Sequence, residues 1–543
     1  MVGKKIKKCI FIVLIMGIIL MFSGRINSIY GIGQGAKYKN PLNVYKIADP
    51  FILFYKGKYY LYATSEKGAT TGGGFEVWTS NNLIDWKYEG WVYKSDENSW
   101  GKDSFWAPEV IYKDGRFYLF YSAGGYINNR KTLRICLAVS DSPLGPFKDL
   151  RAPLFDFGYA TIDAHPFVDD DGNVSLYFSR DVSENPTSDI YVVRLSNDLL
   201  ETVSESKFLL KPSQSWEISS RWNEGPFVVK HNKKYYLFYS ANFFASPEYS
   251  VGYAVSNSPI GPFEKAKENP ILKKTDYISG PGHNSVIKTQ DGKEYFIVYH
   301  TQMGKKGTHL RQLAIDRLIF TNDGKIKVLG PTHMPQPYPS GVLKPKPASS
   351  DDFSNKFLDL QKWTITGEST YSLAKRPGYL RIETMVSDIL NFLILPFSLT
   401  NIYTQYVYDE NFEVSTQFDI ISEEIGDRVG LIVFENYNNY LEFVRVSTGG
   451  KPILEFIVKN NEKIEKIAVK DIPNSSLCYL KLQKNGKTWN AFYKFSEKEN
   501  WKKFNKAIEN QFDVLKVGIT AYSTYSIGGS IYDFNYFPYR KIE

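Results

Sequence analysis

Five segments of the chain repeat one pattern, an apolar strand, a polar turn and an aromatic strand, and that repeat restricts the fold more than any other feature. They are PFILFYKGKYYLYA from Pro50, PEVIYKDGRFYLFYSA from Pro108, PFVDDDGNVSLYFSR from Pro166, PFVVKHNKKYYLFYSA from Pro226 and SVIKTQDGKEYFIVYH from Ser285. Each reads as a β-hairpin. With Tyr59, Phe117, Val174, Tyr235 and Tyr295 as equivalent positions, the intervals are 58, 57, 61 and 60 residues. A second motif, AVSDSPLGPF from Ala138 and AVSNSPIGPF from Ala254, recurs after 116 residues, two periods, with a degenerate copy at VWTSNNLIDW from Val77. Each period therefore holds about four strands. Four-stranded units repeated radially make a β-propeller, in which no blade buries both faces alone. Five copies predict five blades, since an irregular sandwich would not keep so even a spacing.

Composition agrees with an all-β chain. Aromatic residues are 16% of the 543, charged residues 23% and hydrophobic ones 43%; Tyr, Phe and Trp suit a pleated, half-buried surface and also stack on sugar faces. Residues 1–35 read as a signal peptide: Lys4, Lys5, Lys7 and Lys8 precede an apolar run from Cys9 to Phe22 that is short for a bilayer span, with an uncleaved anchor as the alternative. Cleavage beyond Arg25 removes four Lys and one Arg and takes the formal charge from +8 to +3. The expectation is a secreted, extracellular protein with no nucleic-acid footprint and no stable membrane insertion. Cys136 and Cys478, which remain, are far apart and are expected to be buried and free.

Residues 36–330 form the predicted propeller. A boundary follows at 331–350, where six prolines in twenty residues cannot continue a sheet and make a semi-rigid linker lying against the propeller. From 351 to 543 segments such as FEVSTQFDI, VGLIVFE and VGITAYS alternate apolar and polar residues, which predicts a jelly-roll type β-sandwich with no catalytic constellation. The stiffness of the linker favours a sandwich packed on the propeller.

What precedes each hairpin carries the chemistry, because the first strand of every blade starts near the central axis. Those starts are IADPF with Asp49, FWAPE with Glu109, TIDAHPF with Asp163 and His165, WNEGPF with Glu224 and GPGHNS with His283. Asp49, Asp163 and Glu224 precede an aligned Pro by one, three and two residues. Carboxylates gathered in an apolar setting shift one another's pKa values, which separates an acid from a base. Alone, Asp49 before Pro would read as a turn cap; its repeat position and two partners argue for chemistry. Glu109 follows its Pro and reads as a structural ion pair. Asp169, Asp170 and Asp171 suggest a calcium cluster, although DDDGN at a hairpin tip is more often a solvated turn. Trp106 and Trp222 are core rings or a sugar platform, the latter preferred for at least one.

Over roughly residues 40–340 the sequence resembles glycoside hydrolase family 43, whose members include five-bladed propeller arabinofuranosidases and xylosidases: ADPF, WAPE, the Asp of IDAHPFVDDDG and the Glu of EGPF occur in the family's order and fall on the repeat. The resemblance implies Asp49 as general base, Glu224 as general acid and Asp163 as the residue that orients the acid and keeps its pKa up. It implies no cofactor for catalysis, with His283 near the axis holding a water or a single structural Ca2+. Phe51, Trp106, Trp222, His165 and Arg311 are the expected substrate-binding residues; His165 reads equally as a supporting group and Arg311 equally as the partner of a buried Asp. The region opening DDFSNKFLDLQKW resembles the concanavalin-like sandwich appended to some members. The implied partner is a pentose-containing polysaccharide or oligosaccharide, and the implied reaction is inverting hydrolysis of α-L-arabinofuranosyl or β-D-xylosyl residues, with carboxyls about 6.5–9.5 Å apart. A non-catalytic sugar-binding propeller and an endo-acting arabinanase are the alternatives.

Overall fold

Each repeat closes into four antiparallel strands because its aromatic second strand is sided twice. Successive side chains of a strand face opposite surfaces, and the tandem rings of these strands serve two interfaces at once. Tyr121 and Phe120, Phe178 and Tyr177, and Tyr239 and Phe238 each place one ring in the core on one side of the blade and the other in the core on the opposite side. No blade could bury both rings alone.

The computed structural model describes residues 36–217, 221–304, 307–385, 399–460, 463–524 and 528–543; the expected signal peptide, residues 1–35, lies outside the described residues. Five four-stranded sheets follow one another, with strands in sequence order in each. Their first strands are Ile47–Tyr55, Asp103–Lys113, Thr161–Val168, Asn223–His231 and Gly282–Lys288. These touch in sequence, one to two, two to three, three to four, four to five and five back to one, so they line the axis of a closed ring. The segment that precedes blade one clasps the last blade: Leu42 N–H donates to the Leu313 carbonyl (2.8 Å) and Leu313 N–H to the Val44 carbonyl (3.0 Å). Cys136 and Cys478 are buried and unpaired.

The first strand of every blade breaks register at the same step. Shifts fall between Ala48 and Phe51, around Trp106, between Ile162 and His165, between Glu224 and Phe227, and between Gly282 and Ser285. Each of these first strands carries a left-handed residue at the aligned step, Asp49 (φ 51°), Ala107 (45°), Asp163 (57°), Gly225 (58°) and His283 (47°), and blade two adds Ser104 (56°) in the shift just before Trp106. A bulge re-aims a side chain and leaves its N–H outside the ladder. That N–H is satisfied from the preceding blade. Ala107 donates to Thr64 Oγ1 (2.8 Å), Asp163 to Ser122 Oγ (3.0 Å), His283 to Ser240 Oγ (2.7 Å) and Asp49, across the closure, to His300 Nδ1 (3.2 Å). Gly225 donates to Asp163 Oδ2 (3.0 Å), which also accepts from Ser179 Oγ (3.2 Å). Thr64, Ser122, Ser179, Ser240 and His300 are themselves spaced by 58, 57, 61 and 60 residues.

Among the described residues the C-terminal region is a sandwich of a seven-stranded and a nine-stranded antiparallel sheet, packed around Trp363, Phe443, Phe456, Trp489 and Phe534. Tyr38–Glu543 forms a single compact unit, and the 331–350 segment runs along blade five: Thr332 Oγ1 donates to Asp316 (2.6 Å) and Ser340 N–H to Glu294 (2.6 Å). It then reaches blade one, where Asp85 accepts hydrogen bonds from Tyr338 (3.0 Å) and from Tyr406 of the sandwich (2.8 Å). Beside them the buried Lys516 lies against the rings of Tyr406 and Phe434. Tyr45 and Tyr437 meet edge-on at 4.0 Å, and Lys39 reaches Glu435 and Asp513.

A chain ending at Pro347 should therefore melt below the full-length protein in scanning calorimetry. Asp85→Ala should lower the full-length transition by about 1–3 kcal/mol, because it removes the acceptor of buried hydroxyls. Melting temperatures unchanged in both would mean that the two domains are thermodynamically independent.

Candidate active site

The bulges bring the predicted carboxylates to the axis and give each a different environment. Asp49 keeps only 10% of its side chain exposed. Its Oδ2 accepts from Thr64 Oγ1 (2.6 Å), while Oδ1 lies 3.2 Å from His283 Nδ1 and 3.5 Å from Arg311. Burial alone would raise its pKa, but the His283 ring and the Arg311 guanidinium outweigh burial and hold the carboxyl well below the usual range. Asp49 is thus ionised at any working pH.

Glu224 and Asp163 are pushed the other way. Glu224 is 8% exposed; burial, followed by the charge of Asp163, raises its pKa well above the ordinary value, and only the Tyr249 hydroxyl, donating to Oε1 at 2.8 Å, pulls it back. Asp163 is pushed up to about 6, first by burial and then by Asp49, against the lowering effects of His283 and of the Gly225 N–H. A fourth carboxylate, Asp181, raises both. One buried site therefore drives the pKa of one carboxyl down and that of another up, with Asp163 between them and hydrogen-bonded to the residue after Glu224.

A second layer lies two residues further along the inner strands: Phe51, Glu109, His165, Phe227 and Ser285. Here two of the expected substrate-binding residues have internal partners. Both ring nitrogens of His165 are used internally, which is the supporting role rather than a substrate contact. Its Nε2 accepts from Val228 N–H (3.0 Å), which leaves the proton on Nδ1 to donate to Glu109 Oε2 (2.7 Å). Glu109 is accordingly the structural partner expected, its pKa raised by burial and lowered by His165. Phe51 packs on Phe227 (6.4 Å between ring centroids) and against two inter-blade cores, so packing accounts for it.

The remaining residues divide. Arg311 is at the site, paired with Asp49 and stacked over Phe244 (4.7 Å). Trp222, half-buried, meets Phe243 at 5.3 Å, and His309 packs on both Phe243 and Phe244, so an aromatic wall rises beside Arg311. Trp106 is half-buried at the step before the Ala107 bulge. His283 faces Asp49, and among the described residues no three His, Cys, Asp or Glu side chains gather as metal ligands, so this donor set does not fit a directly held ion. The DDDGN turn is a polar hairpin tip in which Lys230 pairs with Asp169 and Asp170. Sequence reasoning missed Thr64, His300, Tyr249 and Asp181; for the first two a signal existed, since they occupy repeat-equivalent positions at the ends of the second strands.

Five blades with carboxylates of opposed protonation at the axis define an all-β glycosidase. Residues 38–326 match glycosyl hydrolases family 43, and residues 350–540 match the beta xylosidase C-terminal concanavalin A-like domain. The chain belongs to glycosyl hydrolase family 43. A crystal structure of a thermostable family-43 glycoside hydrolase is 48% identical, with a TM-score of 0.53, over 56% of this chain and 99% of that one. Beta-D-galactofuranosidase xynD of Aspergillus niger is 28% identical over 54% of this chain and 85% of its own length. A xylosidase/arabinosidase of Bacteroides ovatus is 27% identical over 52% of this chain and 94% of its own.

Gly225 tests the geometry. A Cβ there would meet the His283 ring at 3.1 Å in a left-handed backbone (φ 58°). Gly225→Ala should cost about 1–2 kcal/mol of stability in denaturant titration and lower activity by disturbing the His283–Asp49 contact. Unchanged stability would show that the bulge tolerates a side chain.

Proposed function

We propose that the protein is a secreted, exo-acting enzyme that removes α-L-arabinofuranosyl or β-D-xylosyl residues from plant cell-wall polysaccharides or their oligosaccharides with inversion. The opposed protonation of Asp49 and Glu224 within one buried site carries this reading. Glu224 donates its proton to the glycosidic oxygen as the bond to the anomeric carbon breaks. Asp49 takes a proton from the water whose oxygen attacks the opposite face of that carbon. The products are the inverted sugar and the shortened chain, and solvent exchange returns the proton from Asp49 to Glu224. Asp163 orients Glu224 through the backbone of Gly225 and, after burial, its like charge helps keep Glu224 protonated.

Arg311 and the wall of Trp222 and Phe243 supply a cation and stacking faces at the sugar site. The xylosidase/arabinosidase relative supports a pentose, while the galactofuranosidase relative makes a furanose hexose the competing outcome. The lysine-rich apolar leader supports secretion. No step needs a metal ion, and His283 is assigned to holding Asp49.

Glu224→Ala and Asp49→Ala should each lower turnover of a natural glycoside by roughly two to four orders of magnitude, with Glu224→Ala retaining relatively more activity on nitrophenyl glycosides, whose leaving group needs little protonation. Wild-type-like turnover in either variant would overturn the assignment. Parallel assays on aryl arabinofuranoside, xyloside and galactofuranoside and on linear arabinan decide the sugar and the mode of attack. Asp163→Asn removes the charge that raises Glu224, so the alkaline limb of kcat/KM should move to lower pH. EDTA should leave activity unchanged; loss reversed by added calcium would instead assign an ion to the axis.

A further inference from the structure

We infer that Tyr249 is a positioning residue that fixes which oxygen of Glu224 carries the catalytic proton, and that its placement is set by stacking on His300, whose ring also holds the backbone of Asp49. The inference rests on the reading of Glu224 as the general acid. Tyr249 is fully buried, at the end of the loop from Ala241. Its hydroxyl donates to Glu224 Oε1 (2.8 Å), and among the described residues Oε2 has no hydrogen-bond partner. A phenol that donates to Oε1 leaves the carboxyl proton on Oε2, the oxygen free to face a glycosidic bond.

The ring is boxed in. It lies parallel to the His300 imidazole (5.5 Å between centroids, 6° between planes). Gly282, which pairs with His300 across the strands, is bare on that side: a Cβ there would fall 2.2 Å from two ring carbons of Tyr249. The loop is pinned from both flanks, since Asn242 Nδ2 donates to the carbonyls of Trp216 and Glu248, and Gln302 Nε2 to those of Phe244 and Ser246. His300 is itself fully buried, and burial brings its pKa down to about 4, so the neutral ring accepts the Asp49 N–H at Nδ1. Base and acid thus hang from the two faces of one stacked pair.

The chemical consequence follows from the direction of charge. As Glu224 gives up its proton, Oε1 and Oε2 share a developing negative charge, and a neutral hydrogen bond becomes a charge-assisted one, stronger in the transition state than in the ground state. Burial and the neighbouring carboxylates keep the phenol far above its ordinary pKa, so it donates at every working pH. Around Glu224 the other titratable groups are Asp163, Asp181 and Asp49, all of which raise it, with His283 packed against Gly225. Tyr249 alone among these groups lowers it.

The test is Tyr249→Phe in the full-length protein, with Tyr249→Met as a second variant that fills the space without a donor. On an unactivated pentose disaccharide kcat should fall roughly tenfold or more with KM little changed, and nitrophenyl glycosides should lose much less. The alkaline limb of kcat/KM should move up by roughly one pH unit, the size of one lost charge-assisted bond. Equal losses on both substrates with an unmoved limb, in whichever variant folds, would reduce Tyr249 to packing and overturn the inference. If Glu224→Ala keeps wild-type turnover, the reading of Glu224 fails first; if Glu224 is essential and the limb stays put, only the role of Tyr249 fails.

Discussion

The hydrogen bond from each bulged residue to the preceding blade holds the ring of blades and the site in one arrangement. A left-handed residue in a strand is unfavourable for anything but glycine, and a buried N–H outside its ladder costs as much as a lost hydrogen bond. The first cost recurs at four of the five aligned steps, with glycine at the other, and the second recurs five times and is met each time by a side chain at one repeat position: Thr64, Ser122, Ser240 and His300 directly, and Ser179 through the carboxylate of Asp163. The bonds that join neighbouring blades at the axis are therefore the same bonds that turn Asp49, Asp163 and His283 into the site. Stability and chemistry share a scaffold.

The electrostatics follow from where that scaffold departs from fivefold regularity. Asp49 has three nitrogenous neighbours, His283, Arg311 and His300, whereas Glu224 has only carboxylates and a phenol. Blade four carries glycine at the bulge, so its carboxylate comes one residue earlier and the Asp163 carboxylate closes the gap by accepting the Gly225 N–H. In the layer beneath, His165 is tied to Glu109 and to the backbone of Val228, which joins blades two, three and four under these groups. Repetition builds the ring, and the departures from it separate base from acid.

Much of this was legible in the sequence. The period, the hairpins, the blade count and the three carboxylates all rest on residues at aligned positions, and Cys136 and Cys478 on spacing alone. What was not legible depended on side-chain direction. Phe51 and His165 stand within two residues of Asp49 and Asp163, so position suggested the substrate; the bulge turns the aspartates and leaves the next layer to packing. Tyr249 and Asp181 sit outside the conserved pattern of the repeat, in a loop and after a strand, where no periodicity marks them. His300 was within reach, since VYHT aligns with FYSA, but only the bulge explains why a hydrogen-bond acceptor is needed there.

The sandwich docks through buried polar contacts at Asp85, Tyr338 and Tyr406 rather than through a flexible tether, so the catalytic ring and its appended domain are one mechanical unit. The claim on which the whole account turns is that a single buried cluster holds Asp49 ionised and Glu224 protonated. Neutron diffraction from a deuterium-exchanged crystal near neutral pH measures this directly. The account predicts deuterium on Glu224 Oε2, none on either oxygen of Asp49, and the Tyr249 deuteron directed at Oε1. Deuterium on Asp49, or a bare Glu224, would contradict it.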